Sequence, residues 1–131
     1  TARGDYETAL KYLSESLSIL REIGDKGGMI PTLHNMAHIF LQQNDLQQAV
    51  EHFAEAYRLA LETKDAMGLF NVGRDLGQLL VASGEKEKGV QILRQAYEIG
   101  RNAGLAGTEE IKNILNAIGE RGSSLAQYKK L

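Results

Sequence analysis

Slid against itself by 40 residues, the chain repeats its own pattern, and no other feature constrains its fold as tightly. The shift superposes Gly4-Asp5, Asn44-Asp45 and Gly84-Glu85. It goes on to align Ala9, Ala49 and Gly89, then Leu10, Val50 and Val90, then Leu13, Phe53 and Leu93. Ser16, Ala56 and Ala96 follow in register, and after them Leu17, Tyr57 and Tyr97. Asp25 returns one period on as Asp65, and Gly24 two periods on as Gly104. An ordinary bundle of amphipathic helices gives apolar stripes, but it does not fix small, acidic and large residues in register across three copies.

Each column has a physical reason. Gly4, Asn44 and Gly84 suit the left-handed residue that ends a helix, a conformation Gly enters freely and Asn tolerates. Asp5 and Asp45 follow as N-caps for the next helix, with Glu85 a weaker substitute, and Asp25 and Asp65 cap the other helix of each unit. Between caps the apolar positions step by three or four, as in Tyr6, Leu10, Leu13, Leu17 and Leu20, and again in Leu46, Val50, Phe53, Tyr57 and Ala60. Leu33, Met36 and Phe40, and then Leu76, Leu79 and Leu80, give the intervening segments the same period. A single Pro, 14 Gly, three Phe and five Tyr leave little material for a sheet. The chain is therefore read as all-α, built of antiparallel helix pairs, with helices over 5–23, 27–43, 45–63, 66–83, 85–103 and 108–120. Ala37 and Gly77 on first helices, and the Ala9 and Ser16 columns on second helices, let neighbours approach closely. Ala56→Leu is the substitution expected to do most damage.

The register divides the chain into a half repeat (5–23), repeats over 25–64 and 65–104, a closing helix (108–120) and a tail (121–131) with a Gly-Ser-Ser breaker. GDYETAL, residues 4–10, then belongs to the second helix of a repeat whose first helix lies upstream of Thr1. On that reading part of the stripe Tyr6, Leu10, Leu13, Leu17 and Leu20 faces solvent, and two copies pair through this open N-terminal helix as a homodimer.

NMAHIFLQQNDLQQAVEHFAEAYRLA (35–60) and DLGQLLVASGEKEKGVQILRQAYEI (75–99) resemble tetratricopeptide repeats: a small residue, a large one, a turn, then Ala, Leu or an aromatic, and Ala. The period is similar to that of the extended repeats in kinesin light chains, Pins-type scaffolds and prokaryotic sensor proteins. The sequence departs from the motif at Leu33 and Gly73, where the family often has a large aromatic, and at Lys86, where it usually has Tyr. The resemblance implies an α-α superhelix, a solenoid acting as a scaffold for protein binding, with its concave groove lined by the first helices. Carried onto this chain, that groove holds His34, His38, Leu41 and Gln42 from one repeat and Asn71, Arg74, Gln78 and Val81 from the next. These groups are polar, mildly basic and poor in carboxylate, so a protein or peptide partner of acidic, amide-rich character fits them. The Lys and Asn clamp of the family's chaperone-binding members is replaced at the matched places by His34, His38, Arg74 and Gln78. The alternative is an intramolecular role, in which the repeats regulate an effector domain of a larger signalling protein.

Other function classes find little support. A net charge of −2 without a basic block removes the phosphate attraction that nucleic-acid binding needs. No apolar run spans a bilayer, and the absence of Cys fits the cytoplasm and removes disulfides, thiolate zinc sites and cysteine nucleophiles. His34 and His38 stand at i, i+4, a metal-binding spacing, but HNMAH lacks the Glu of the zincin motif and no third ligand is evident, His52 lying on the following helix. Ser14, Ser16 and Ser18 have no His in register, and GDKGG lacks the ending of a phosphate loop. No enzyme, no metal and no cofactor is expected.

Overall fold

The computed structural model describes the backbone of residues 3–130 and the side chains of residues 4–119. Six helices follow one another, with no strand among the described residues: α1 (Arg3–Ile23), α2 (Lys26–Gln42), α3 (Leu46–Thr63), α4 (Ala66–Ala82), α5 (Lys86–Ala103) and α6 (Thr108–Lys130). The caps form where the acidic columns put them. Asp25 accepts from the Gly28 amide at 2.9 Å, Asp45 from Gln48 at 3.2 Å and Asp65 from Gly68 at 3.0 Å, while Glu85 makes no side-chain cap bond. Glu85 carries its carboxylate one carbon further out, which takes it off the geometry that an Asp caps with. Asn44 and Gly84 adopt positive φ, 63° and 96°, as their column requires. Lys64 does so as well, at 55°, between Gly24 and Gly104 in the alternate turns.

Two boundaries differ from the sequence reading. Gly4 and Asp5 lie inside the first turn of α1, not in a turn and a cap, since α1 begins at Arg3. The first-turn amides of a helix need no intrahelical partner, so a Gly there is tolerated. The last helix does not stop at Glu120 but runs to Lys130, through Gly122-Ser123-Ser124. Gly costs a helix only about 1 kcal/mol against Ala and Ser less, and neither removes a hydrogen bond as Pro does. The side chains of the tail 121–131 fall outside the described residues.

The helices pack in sequence order, with α2 against α3 and α4 against α5 as the most extensive pairs. α1 packs on α2, α3 on α4 and α5 on α6, and α2 also touches α4 directly. Phe53, Leu33 and Val72 are fully buried in the larger core, and Phe70, Leu93 and Ile111 in the smaller one beside α6. The small residues set the helix spacing. A Cβ built on Gly77 would stand 2.6 Å from Leu93 Cγ, and one on Gly89 would stand 2.6 Å from the Gly77 carbonyl oxygen. α4 and α5 thus meet backbone to backbone, which only glycine allows at these two points.

The exposed face of α1 is a different one from that expected. Leu17 is buried, and Leu10, Leu13 and Leu20 pack against the core. Tyr12, Ile19 and Ile23 are exposed instead, at 65%, 57% and 70%. The repeat explains the exchange. One period on, Ile19 becomes Leu59, 3% exposed, and Ser16, exposed in α1, becomes Ala56, which is sealed. α3 therefore buries two faces, the Phe53 and Tyr57 one that α1 shares through Leu13 and Leu17, and the Ala56 and Leu59 one that α1 leaves open.

Candidate binding surface on the first helices

α2 and α4 approach each other on one side of the molecule, whereas on the other side a cavity of about 620 Å³ opens between α3 and α5. Helices that touch on one side and splay on the other define an inner and an outer surface, with α2 and α4 inside. The inner surface is tied together by polar side chains. His34 Nε2 lies 2.7 Å from Asp75 Oδ2 and His38 Nε2 lies 2.9 Å from the same oxygen, so two residues one turn apart on α2 converge on a single carboxylate of α4. Arg74 Nε donates to the other oxygen, Oδ1, at 3.4 Å.

Phe53 of α3 holds the two imidazoles in place. Its ring meets His38 edge to face at 5.3 Å and His34 at 5.7 Å, and the two imidazole centroids stand 4.8 Å apart. Arg74 extends over the Phe70 ring, 6.0 Å from its centroid, and its Nη groups have no acceptor among the described residues. Burial acts to raise the Asp75 carboxyl, but the hydrogen bond from His34, the charge of Arg74 and the contacts with His38 together outweigh it. The carboxyl is held below its ordinary value. Asp75 is therefore an anion at neutral pH, compensated by the adjacent guanidinium.

Of the groove residues expected from the sequence, His34, His38 and Arg74 are brought together. Asn71 is half-buried on α4, Gln42 is exposed at the end of α2, and Gln78 donates back to the Arg74 carbonyl at 3.1 Å. Leu41 is exposed and Val81 half-buried beside the smaller core. The surface is not poor in carboxylate at its centre, because Asp75 is the hub of the cluster. It lies 41 and 37 residues beyond His34 and His38, close to one period, and that spacing was the available signal: a residue one repeat on stands beside its counterpart on the neighbouring first helix.

The outer cavity is lined by Val50, Leu61, Leu76, Leu80 and Ile92, with Arg58, Glu85 and Lys88 around it. Tyr57 donates its hydroxyl to Gln95 there, and burial pushes the phenol up, so it stays protonated as that bond requires. Among the described residues no helix is long and apolar enough to cross a membrane.

Residues 1–62 match the family described as Tetratricopeptide repeat. No curated protein matches the chain. The match covers α1, α2 and nearly all of α3, and the same paired packing continues through α4 and α5, with the Asp65 cap and the small residues in register. Residues 1–62 thus resemble the tetratricopeptide repeat, and the described helices as a whole form an all-α helical repeat fold of that type.

Proposed function

We propose that the chain is a protein-interaction module, a half repeat and two repeats closed by α6, whose inner surface on α2 and α4 takes an extended peptide or a partner helix. Proteins of this family are typically non-enzymatic scaffolds for protein interactions. The observation that carries the reading is Arg74. It is fixed by Asp75 on one side and Phe70 beneath, yet keeps its Nη donors unspent on a surface flanked by His34, His38, Asn71, Gln42 and Gln78. A pre-oriented guanidinium with free donors suits a carboxylate or amide oxygen on the partner. Because Asp75 already offsets its charge, hydrogen-bond geometry contributes more than net attraction, and a partner carrying both acidic and amide side chains fits best. Peptides selected from an unbiased library against the intact chain test this. Arg74→Gln should weaken the selected binders about tenfold, equivalent to about 1.4 kcal/mol. Unchanged affinity would remove Arg74 from the site.

A second reading concerns association and rests on the open face of α1. Tyr12, Ile19 and Ile23 form an apolar stripe with Ser16 between them, and the α3 counterparts of Ser16 and Ile19, Ala56 and Leu59, are buried against other helices. The occupant we propose is α1 of a second copy, in a two-fold dimer, since the same stripe on both partners is self-complementary. Light scattering should show a mass that rises toward twice the monomer over a hundredfold increase in concentration, and Ile19→Lys should abolish the rise. Leu10→Lys would disturb the core instead, because Leu10 packs against it. A mass that stays monomeric throughout would contradict the pairing.

A further inference from the structure

We propose that His34, His38 and Asp75 form a binding site for a late first-row divalent metal ion of the Zn²⁺ class. The three ligand atoms, both Nε2 and Oδ2, lie within 4.8 Å of one another. The i, i+4 pair on α2 supplies two imidazoles from one helix face, and α4 supplies the third ligand that HNMAH lacks. Two imidazoles and one carboxylate are a recurring donor set for zinc, iron and neighbouring ions, and three protein ligands leave a coordination position open for water or a partner's side chain. The inference does not depend on a peptide occupying the groove.

Three further features favour an ion over a simple polar tie between helices. The donors are already ordered, since Phe53 packs against both imidazoles and Arg74 holds the far oxygen of Asp75, so binding freezes little additional motion. The site is also reachable: the His38 side chain is 44% exposed, against 19% for His34 and 16% for Asp75, so an ion enters from the groove beside His38. The ligand exchange also balances. In the ion-free form each ring donates Nε2–H to the carboxylate, which can only accept. On binding, each Nε2 gives up that proton to Nδ1 or to solvent and its lone pair goes to the metal.

Charge decides which ions bind. Asp75 contributes one negative charge and Arg74, on the other carboxylate oxygen, offsets it. The attraction is therefore carried by the imidazoles, which favour Zn²⁺, Ni²⁺, Co²⁺ and Cu²⁺. Mg²⁺ and Ca²⁺ need an all-oxygen shell that one compensated carboxylate does not offer.

Calorimetric titration of the full chain, prepared without a polyhistidine tag, tests the assignment with Zn²⁺, and the visible absorption of Co²⁺ reports the ligand set. The expected result is one ion per chain, unaffected by excess Mg²⁺. Affinity should fall at least about tenfold in His38→Ala and in Asp75→Asn, because each removes one of three ligands. His38 is the more exposed imidazole, and circular dichroism of His38→Ala verifies that the helices persist. No saturable Zn²⁺ uptake by the wild-type chain would overturn the proposal, as would equal uptake by a folded His38→Ala.

Discussion

Truncating Phe53 to alanine should cost about 3–5 kcal/mol, the usual range for removing a sealed aromatic ring from a core. Phe53 is 0% exposed and sits where α3 meets the inner helices, with His34 and His38 against its ring. The two imidazoles that border the ring are held by Asp75 and so do not collapse into the void. Against a total of about 5–15 kcal/mol for a typical domain, the loss is a large share. Urea unfolding followed by circular dichroism measures it as a lower midpoint at unchanged slope. A cost below about 1 kcal/mol would mean that the ring is not packed as described.

The second large effect comes as a pair. Ala56→Leu and Ser16→Leu place leucine at the same repeat position, one period apart, and they should differ sharply. Ala56 is fully buried, and its repeat equivalent Ala96 lies against the first helix of its own pair, where a Cβ on Gly73 of α4 would stand 3.5 Å from the Ala96 Cβ. Leucine in that space overpacks the helix pair, at about 1–3 kcal/mol. Ser16 is exposed, so leucine there should leave the unfolding midpoint within about 0.5 kcal/mol of wild type. Equal losses at the two positions would contradict the open face of α1.

The contrast between these positions also marks how far the sequence could be read. Asn44, Gly84 and the caps at Asp25, Asp45 and Asp65 were legible because turn and cap chemistry is local: a residue type is selected by its own φ or by an amide three residues on. Gly77 and Gly89 were legible as small residues, since a close approach excludes all else. Lys64 was not, because its left-handed φ is imposed by the helix end around it rather than by its own side chain. The α1 stripe failed for a related reason. Periodicity shows that a helix has an apolar side, but both its apolar faces repeat at the same spacing, and only the packed neighbours decide which one is covered. Asp75 as a hub was hidden in the same way. Whether a side chain on α4 reaches α2 depends on the rotation between successive helix pairs, which no spacing within one helix encodes. His34, His38 and Arg74 are legible one helix at a time, and the carboxylate that joins them is not.

The central claim is that the inner surface of α2 and α4 receives the partner. Peptides selected against the intact chain are titrated into the isotopically labelled protein and followed by amide chemical shifts. The account predicts that the largest changes cluster around His34, His38, Gln42, Asn71, Arg74 and Gln78, with α3 and α5 nearly silent. Changes centred on Leu61, Lys88 and Ile92, around the outer cavity, would contradict it and move the binding site to the opposite side of the molecule.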